Sequence, residues 1–366
     1  MKIGIFTVPM EKIGTGSGSH LYYFCKAMIE EAKEHELFFI HYKKNDIDLY
    51  TRVNEIIIPK RPLIQDLAIR KLGLDILHFG MLSYKYPIWL TGTKQVVTIH
   101  GGAELSLPFK YHGSIKGYIN KRFLQPVLLL KFKSIFTSSE NSRSLLHKMN
   151  YYPMDHIVPV YNAVDPVFSV RSDISKSLKK YGINGPYIFH LSHYMKRKNP
   201  FVMLRAFSEV VRQGNFNSTL VIGGKGWDNI YVRNFLSEQK IEDRVKITGF
   251  IPTDDMINLY SGAQLFMFPS LYEGFGIPIL EAMSCGCPVI TSNVAAIPEV
   301  AGDAALLLEN PLDYQEIKDA ILRLVTDAEL RKQCRKRGLE QAGKFSWNRS
   351  ARIALDTYSM LISDTK

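Results

Sequence analysis

The sequence has few cysteines and no long apolar run, and both absences restrict what the protein can be. Its 366 residues include four cysteines scattered along the chain, too few for a disulfide framework and typical of a reducing compartment. No apolar segment approaches the roughly 20 residues that a transmembrane helix needs, and the first residues are typical of a strand rather than a secretory signal. We therefore expect a cytoplasmic protein, and this length favours two domains.

Acidic residues are scarce in the first half of the chain. The net charge is +11, of which residues 1–170 contribute +7, from 21 Lys/Arg and 14 Asp/Glu. No acidic residue lies between Glu104 and Glu140, where basic residues are mixed with aromatic and aliphatic ones. The segment 110–133 therefore fits an anionic membrane surface, or a solvated helix face with a buried side. Since no nucleic-acid-reading motif accompanies the charge, no nucleic acid partner is expected.

The segment 263–283 contains the most informative motif in the chain. An apolar strand-like run, Ala263 to Phe268, is followed by a turn that contains Glu273 and two glycines, and then by a helix-like segment with Pro278 near its start. A strand, a tight glycine turn and a helix bring backbone N–H groups and the positive end of a helix towards an anion, typically phosphate. The carboxylates of Glu273 and Glu281 suit sugar or ribose hydroxyls rather than the phosphate.

Three further loops follow predicted strands. The first is glycine-rich around Gly16 and precedes a helix, although it fits the dinucleotide fingerprint poorly. His100 ends the fifth predicted strand, at the sheet edge where open α/β sheets bind ligands. The basic loop 192–200 follows another strand, and the lysines of its segment 196–199 suit a pyrophosphate better than a merely solvated charge run.

Predicted strands alternate with helices in two successive halves of the chain. This pattern predicts an α/β protein with two mostly parallel sheets covered by helices. Residues 165–185 are predicted as the linker between the halves. The predicted strands are 2–8, 36–42, 55–58, 75–79, 95–100, 134–138, 157–160, 187–191, 219–223, 245–248, 263–268, 288–292 and 305–308.

These motifs resemble those of the retaining glycosyltransferases of family 4, also described as glycosyl transferases group 1. Besides the two-glutamate motif the match includes, in the family's order, the Gly16 loop and segments 75–78, 98–100, 136–140, 162–165, 197–199, 249–250 and 345–347. The resemblance implies the GT-B fold, in which two Rossmann-like domains face each other across a cleft. Residues 1–168 are then the acceptor-side domain, joined by a crossing helix at 347–366, and residues 169–346 bind the nucleotide sugar.

The resemblance also implies roles for single residues. His100 and Glu273 are the expected catalytic residues, His100 near the reacting carbon and Glu273 at the donor sugar. Lys198 is expected at the pyrophosphate with Arg197 beside it, Gly16 at the distal phosphate, and Glu281 at the ribose hydroxyls. The other expected donor contacts are Gly274, Phe275, Gly276 and Ile277 at the sugar and phosphate, and Phe250 and Ile251 at the base.

Two positions depart from the family pattern. Many relatives have an arginine where Ser192 stands, so the phosphate loses a bidentate partner here. His100 is often followed by aspartate, whereas this chain has Gly101 and Gly102, which leaves the acceptor side open.

The implied reaction transfers a hexose with retention of anomeric configuration in the synthesis of a cell-surface polysaccharide or glycolipid. The segment 297–307 most resembles mannosyltransferase-like members, so GDP-mannose is the expected donor and UDP-sugars are the alternative. A sugar-nucleotide epimerase or phosphorylase of the same fold, or a non-catalytic partner in glycan assembly, are competing interpretations. The intact two-glutamate motif favours transfer over both.

The expected ligands follow from the same resemblance. No cofactor and no metal ion are expected, because the family needs no divalent metal. The expected partners are a nucleotide sugar and a glycan or lipid-linked saccharide acceptor such as a lipopolysaccharide precursor. A peripheral location on the inner face of the cell membrane follows if the segment 110–133 docks there.

Overall fold

A computed structural model describes residues 1–12, 16–61, 63–83, 85–89, 91–100, 125–150, 152–214 and 216–363. The chain divides into two compact units, the first formed by residues 1–162 and 346–366 and the second by 163–345. The first boundary therefore lies after Asn162 rather than after residue 168 as predicted. The reason is visible at Phe168, which is buried and packs against Tyr260 of the second unit, with ring centroids 6.4 Å apart.

The first unit is built on a sheet of seven parallel strands in the order β3-β2-β1-β4-β5-β6-β7. Because helices cover both faces of such a sheet, its central strands are apolar almost throughout. The strands are β1 Lys2–Phe6, β2 Glu36–His41, β3 Asn54–Ile57, β4 Ile76–Phe79, β5 Lys94–Ile99, β6 Ser134–Thr137 and β7 Ile157–Pro159. The helices before the crossing to the second unit are α1 Gly16–Glu31, α2 Ile64–Arg70, α3 Gln125–Leu129 and α4 Glu140–Asn150.

The second unit repeats this plan with six parallel strands in the order β10-β9-β8-β11-β12-β13. The strands are β8 Tyr187–Leu191, β9 Thr219–Gly223, β10 Val245–Gly249, β11 Leu265–Phe268, β12 Val289–Ser292 and β13 Ala305–Leu308. The helices are α5 Ser175–Lys180, α6 Pro200–Val211, α7 Ile230–Gln239, α8 Thr253–Gly262, α9 Ile277–Ser284, α10 Ile297–Ala301, α11 Tyr314–Thr326 and α12 Ala328–Ala342.

The final helix, α13 Trp347–Ser363, belongs to the first unit. Its buried Tyr358 hydroxyl lies 2.7 Å from His78 Nδ1, and its Ser350 hydroxyl donates to the carbonyl of Tyr161. Arg352 forms an ion pair with Glu31 of α1 at 2.6 Å. The last helix therefore completes the helical cover of the first sheet.

The predicted linker 165–185 is not a free connection, because it contains α5. Asp255 of α8 accepts hydrogen bonds from Ser177 Oγ at 2.6 Å and from Tyr181 Oη at 3.0 Å, and it pairs with Lys180. These bonds attach the segment to the second unit.

Most of the basic segment 110–133 lies outside the described residues. Of its described part, Leu128 and Leu129 of α3 are buried in the core of the first unit, whereas Val127 and Leu130 are exposed. Within the described ranges, no helix has both the length and the apolar character needed to cross a membrane.

Candidate functional site

In the second unit, Arg197, Lys198 and Glu273 lie where the strand order of the sheet reverses. In the second sheet this point lies between β8 and β11, so the loops that follow these two strands leave the same edge side by side. Ligands of open α/β sheets bind in this position. The first loop contains Arg197 and Lys198, and the second contains Glu273. A backbone hydrogen bond of 2.8 Å from Leu271 N to the carbonyl of Arg197 ties the two loops together.

Arg197, Lys198 and Glu273 form one ion-paired group, which we call the Glu273 cluster. Lys198 Nζ donates to Glu273 Oε1 at 2.5 Å, and Arg197 Nη1 donates to the same oxygen at 2.9 Å and to the carbonyl of Tyr272 at 3.1 Å. The side chains of Lys198 and Glu273 are 9% and 10% exposed. Two cations and one carboxylate leave a net charge of +1 in a nearly dry site. Such a site favours an anionic ligand.

Burial and charge act in opposite directions on these groups. Burial alone would raise the pKa of Glu273, but Lys198 and Arg197 together hold that pKa below its usual value. Burial lowers the pKa of Lys198, Arg197 lowers it further, and Glu273 opposes both effects. Burial also lowers the pKa of His190 on β8 to about 4, so its imidazole is neutral at pH 7. The Glu273 carboxylate remains ionised, because Lys198 and Arg197 lower its pKa and it acts as the counter-ion of both.

Backbone conformations that few residues adopt fix both loops. Asn199 has φ +59°, a left-handed conformation that asparagine tolerates, and it joins the turn of Lys198 to α6, which begins with Pro200. Gly276 has φ +104° and precedes α9, whose Pro278 lies in the first turn. The predicted strand, glycine turn and helix are thus present. Gly274, Phe275, Gly276 and Ile277 form the end of the turn and the start of the helix.

Glu281 has surroundings different from those of Glu273. It lies one turn inside α9, and its Oε2 accepts a hydrogen bond of 3.0 Å from the hydroxyl of the buried Tyr260. Burial raises the pKa of Glu281 to about 7, although the Tyr260 hydrogen bond opposes this shift. A partly buried carboxyl with one tyrosine partner can still accept hydrogen bonds from ligand hydroxyls. The pairing with Tyr260 was not predicted from the sequence.

The two residues predicted at the base differ in exposure. Phe250, directly after β10, is 71% exposed, whereas Ile251 is buried. The Ile251 side chain packs so closely over Gly223 that a Cβ there would approach its Cδ1 to 2.5 Å. Phe250 therefore presents its ring to solvent at the carboxyl edge of the sheet, and Ile251 belongs to the packing beneath it.

Ser192, which stands where many family members have an arginine, is held by several hydrogen bonds. Its Oγ lies 2.8 Å from His190 Nε2, and its carbonyl accepts a hydrogen bond of 2.8 Å from Trp227 Nε1. Gly224 has φ +109°, and a Cβ at this position would lie 2.0 Å from that carbonyl. The loops after β8 and β9 can thus approach each other only because residue 224 is glycine.

In the first unit, His100 follows β5 at the predicted edge. Its Nε2 lies 2.8 Å from the carbonyl of Gly80, which can only accept, so Nε2 carries the proton and Nδ1 has the lone pair. Burial lowers the pKa of His100 to about 4, although the Gly80 hydrogen bond opposes this shift. The ring is therefore a neutral hydrogen-bond acceptor at pH 7.

His20 and Asn162 were not predicted as site residues, but the structure places them beside His100. The rings of His20 and His100 meet edge to face with centroids 4.3 Å apart, and His20 Nδ1 lies 2.6 Å from Asn162 Oδ1. Burial lowers the pKa of His20 well below its usual value. The available sequence signal was the position of His20 one helical turn after Gly16. Gly16 is the first residue of α1, and residues 13–15 before it are outside the described ranges.

Both groups suit hydroxyl- and phosphate-bearing ligands. The Glu273 cluster offers N–H donors and net positive charge beside the start of α9, and His100 offers a neutral imidazole acceptor. Among the residues that the structure describes, neither group contains an unpaired nucleophile held next to a base in the way that acyl transfer requires. The four cysteines are buried free thiols, and burial raises the pKa of Cys285 and Cys287.

Comparisons with known proteins agree with this chemistry. A family profile described as "Glycosyl transferases group 1" matches residues 173–341. The "O-antigen chain mannosyltransferase B" of Escherichia coli is 35% identical over 273 residues, which cover 73% of this chain and 71% of that protein. A "Serotype-specific mannosyltransferase WbdA" of Escherichia coli is 32% identical over 64% of this chain, but the match spans only 29% of WbdA.

Solved structures match the fold of the whole chain. The sucrose-phosphate synthase of Thermosynechococcus elongatus has a TM-score of 0.79 with 17% identity and covers 100% of both chains. WaaG, a glycosyltransferase of lipopolysaccharide biosynthesis, has a TM-score of 0.70 with 12% identity, covering 97% of this chain and 99% of WaaG. These likenesses confirm the predicted GT-B fold.

Proposed function

The chain belongs to the glycosyl transferases group 1 family and is a glycosyltransferase, and we propose that it transfers mannose from GDP-mannose with retention of configuration. Mannose is proposed as the donor sugar because the chain is 35% identical to an O-antigen chain mannosyltransferase over most of both chains. The proposed acceptor is a glycan or a lipid-linked saccharide in cell-surface polysaccharide synthesis. A lipid-linked acceptor would place the enzyme at the inner face of the cell membrane.

The Glu273 cluster and the start of α9 are the proposed diphosphate site. Lys198 uses one of its three N–H donors on Glu273, and Arg197 Nε has no hydrogen-bond partner among the described residues. Donors of this kind can bind diphosphate oxygens without disrupting the ion pairs. As the bond to the sugar breaks, negative charge grows on the departing diphosphate. Cations fixed beforehand in a dry site stabilise that charge most effectively.

Glu273 is proposed to hold the donor sugar rather than to attack it. Both cations contact its Oε1, so Oε2 takes part in neither bond and can accept a sugar hydroxyl. A carboxylate paired with two cations is a weak nucleophile, because both stabilise its ground state. We therefore assign no side-chain nucleophile, and activation of the acceptor hydroxyl by the leaving phosphate fits the site at least as well. His100 is proposed at the donor sugar as a neutral acceptor.

Calorimetric titration with GDP, UDP and ADP in the presence of a chelator tests the donor. Selective GDP binding that the chelator leaves unchanged is the expected result, since no metal is proposed. Selective UDP binding would overturn the mannose assignment. Product analysis after incubation with the nucleotide sugar alone distinguishes sugar transfer from epimerisation, because an epimerised nucleotide sugar would identify an epimerase.

Replacing Lys198 tests the proposed diphosphate site. We expect Lys198→Ala to reduce transfer by about 10²–10³-fold, the usual cost of losing one preorganised donor. Lys196→Ala is the matched control, because Lys196 lies in the same turn but is exposed. Glu273→Gln, which keeps the side-chain shape, should also lose transfer while circular dichroism shows a folded protein. Near-normal turnover of Lys198→Ala contradicts the assignment.

A further inference from the structure

Tyr260 is completely buried, and its hydroxyl reaches one of the two glutamates of the motif at 263–283. It lies near the end of α8 and is 0% exposed. Its Oη donates a hydrogen bond of 3.0 Å to Oε2 of Glu281, one turn inside α9. A buried hydroxyl needs a partner of this kind. The bond alone therefore does not decide whether the pair serves packing or ligand binding.

The ring of Tyr260 is fixed by two central strands of the second sheet. It packs edge to face against Phe189 of β8 and Phe266 of β11, with ring centroids 5.0 Å and 5.1 Å apart. Phe189 and Phe266 are paired partners in the sheet. The loops that follow the same two strands contain the Glu273 cluster. The two strands therefore fix the position of that cluster and, through Tyr260, the position of Glu281.

Glu281 has hydrogen-bonding capacity that Tyr260 does not use. Glu281 is partly exposed, and within the described ranges its Oε1 forms no hydrogen bond. An ionised carboxylate has about four lone-pair positions, so it can accept from Tyr260 and also from two ligand hydroxyls. The 2′ and 3′ hydroxyls of a ribose are adjacent on the ring, and both can donate. A ribose therefore matches the unused part of this carboxylate.

The Tyr260 hydrogen bond also favours the ionised form of Glu281, which only accepts hydrogen bonds. Burial raises the pKa of Glu281 to about 7, and the Tyr260 hydrogen bond opposes this shift. Burial and the charge of Glu281 raise the pKa of Tyr260 well above its usual value, so the hydroxyl remains a donor. Burial raises the pKa of the neighbouring Cys285 thiol to about 12, so this group is neutral. Tyr260 thus influences both the direction and the charge of the carboxylate.

We propose that Tyr260 is a positioning residue for the donor nucleotide: it holds the Glu281 carboxylate where that group accepts hydrogen bonds from the 2′ and 3′ hydroxyls of the ribose. This inference rests on the proposed function, in which a nucleotide sugar binds at the motif that contains Glu273 and Glu281. Because Tyr260 is completely buried, it acts through Glu281 and not on the nucleotide itself. The diphosphate and the ribose are then bound by groups fixed to the same two strands.

Calorimetric titration with a nucleoside diphosphate and its 2′,3′-dideoxy analogue tests this role. The ribose is common to GDP, UDP and ADP, so the nucleotide used is whichever of these binds the wild-type protein most tightly. At pH 8 Glu281 is mostly ionised. The wild-type protein should bind the dideoxy analogue about tenfold or more weakly, the usual cost of losing hydrogen bonds to a charged group. Since the analogue keeps the diphosphate, the ratio of the two affinities measures the ribose contact.

Tyr260→Phe keeps the aromatic ring and removes only the hydroxyl. We expect it to lower the affinity ratio about three- to tenfold, with weaker binding of the ribonucleotide and unchanged binding of the dideoxy analogue. Tyr187→Phe is the matched control, because Tyr187 of β8 is also buried and its hydroxyl donates to the carbonyl of Leu259 at 2.8 Å. This control removes a buried hydrogen bond to the same helix and should leave the ratio unchanged.

Steady-state kinetics provides a second measurement. Contacts to the ribose are the same in the bound donor and in the transition state, because the bond that breaks is at the sugar. Tyr260→Phe should therefore raise KM for the nucleotide sugar about three- to tenfold with kcat nearly unchanged. A lower kcat at unchanged KM would contradict the assignment.

Glu281→Ala separates the role of Tyr260 from that of Glu281. It should lower the affinity ratio at least as much as Tyr260→Phe. If Glu281→Ala lowers the ratio and Tyr260→Phe does not, the pair serves packing only and the proposal is wrong. Equal decreases in Tyr260→Phe and Tyr187→Phe also overturn it, because any lost hydrogen bond at α8 would then have the same effect.

Two further outcomes distinguish this inference from the proposed function. An unchanged ratio in Glu281→Ala shows that Glu281 does not bind the ribose, and the role of Tyr260 fails with it, whereas the Lys198 variant still decides the diphosphate site. Absence of binding of all three nucleotides overturns both the nucleotide site and the role of Tyr260. A different donor sugar or acceptor contradicts only the proposed reaction, since the titrations contain neither.

Discussion

At the residue scale, two carboxylates of one motif have pKa values shifted in opposite directions. The cations Lys198 and Arg197 overcome burial and lower the pKa of Glu273, whereas burial raises the pKa of Glu281 to about 7. Environments that separate the pKa values of two similar groups commonly separate their roles. In the absence of ligand Glu273 is an ionised counter-ion, and Glu281 is partly protonated near neutral pH.

Glu281→Gln should change how stability depends on pH. A carboxyl with a raised pKa in the folded state stabilises the protein below its unfolded pKa of about 4.3. That contribution is lost as the pH rises through about 7. The stability of Glu281→Gln relative to wild type should therefore increase by about 1–3 kcal/mol between pH 5 and pH 8. Urea denaturation without nucleotide at both pH values measures this.

Glu273→Gln provides the control of opposite sign. Because the folded-state pKa of Glu273 is lowered, its contribution is present above the unfolded pKa and is lost as the pH falls. An identical stability difference for Glu281→Gln at pH 5 and pH 8 contradicts the raised pKa.

The sequence pattern predicted Lys198 and Glu273 as site residues, but it did not predict that their side chains pair. Lys198 and Glu273 are 75 positions apart, and their contact depends on β8 and β11 being neighbours in the sheet. Local patterns carry no information on strand order. The sequence also did not predict Tyr260 beside Glu281 or His20 beside His100, because these contacts depend on how the helices pack against the sheets.

At the element scale, the loops after β8 and β9 approach each other at Gly224. Gly224→Ala should destabilise the protein by more than ~3 kcal/mol, because the new Cβ would clash with the backbone carbonyl of Ser192. The clash should also displace the loop that contains Lys198 and weaken nucleotide binding. Denaturation and the GDP titration measure the two effects.

Gly214→Ala is the matched control for this substitution. Gly214 also has a positive φ, +84°, but a Cβ there would have no neighbour within 4 Å in the described part of the chain. It should cost only the ~1–2 kcal/mol of the backbone conformation. Equal destabilisation by the two substitutions would show that the clash is relieved.

Elements with strong apolar patterns were predicted well, and weakly patterned ones were missed. All thirteen predicted strands are present within one or two residues, since strands buried on both faces have continuous apolar runs. Helix α5 buries only Ser177, and α7 exposes Ile230 and Tyr231 while burying Val232 and Leu236. Helix α5 therefore lacks the apolar face that indicates a helix in a sequence. Helix α7 does have apolar residues at helical spacing (Val232, Phe235 and Leu236), but its exposed Ile230 and Tyr231 obscure that pattern.

At the scale of the whole molecule, the first unit consists of two distant parts of the chain. Tyr358 in α13 and His78 in β4 are both buried and hydrogen-bonded, and His78 Nε2 lies 2.8 Å from Thr98 Oγ1. Burial lowers the pKa of His78 to about 3, so the ring is neutral. Its two nitrogens are therefore satisfied by one partner from each part of the chain.

Tyr358→Phe should destabilise the first unit by about 1–3 kcal/mol, because a buried ring nitrogen of His78 loses its partner. Hydrogen exchange followed by mass spectrometry should show faster exchange in α13. Tyr231→Phe is the control, because that hydroxyl is on a side chain 70% exposed. Unchanged exchange in α13 would mean that the hydrogen bond contributes little.

The chain leaves the first unit beside His20 and re-enters that unit beside the same residue. Asn162, the last residue before the second unit, bonds to His20 Nδ1, and the ring of Trp347, just after that unit, lies 5.2 Å from the His20 ring. During translation, residues 346–363 leave the ribosome only after the entire second unit has been synthesised. The second unit, continuous from 163 to 345, can therefore complete its fold first, although domains usually fold in order from the N-terminus. Until α13 has been synthesised, α1 lacks the helix that packs against it. The nascent first unit is therefore the part of the chain on which chaperones would act.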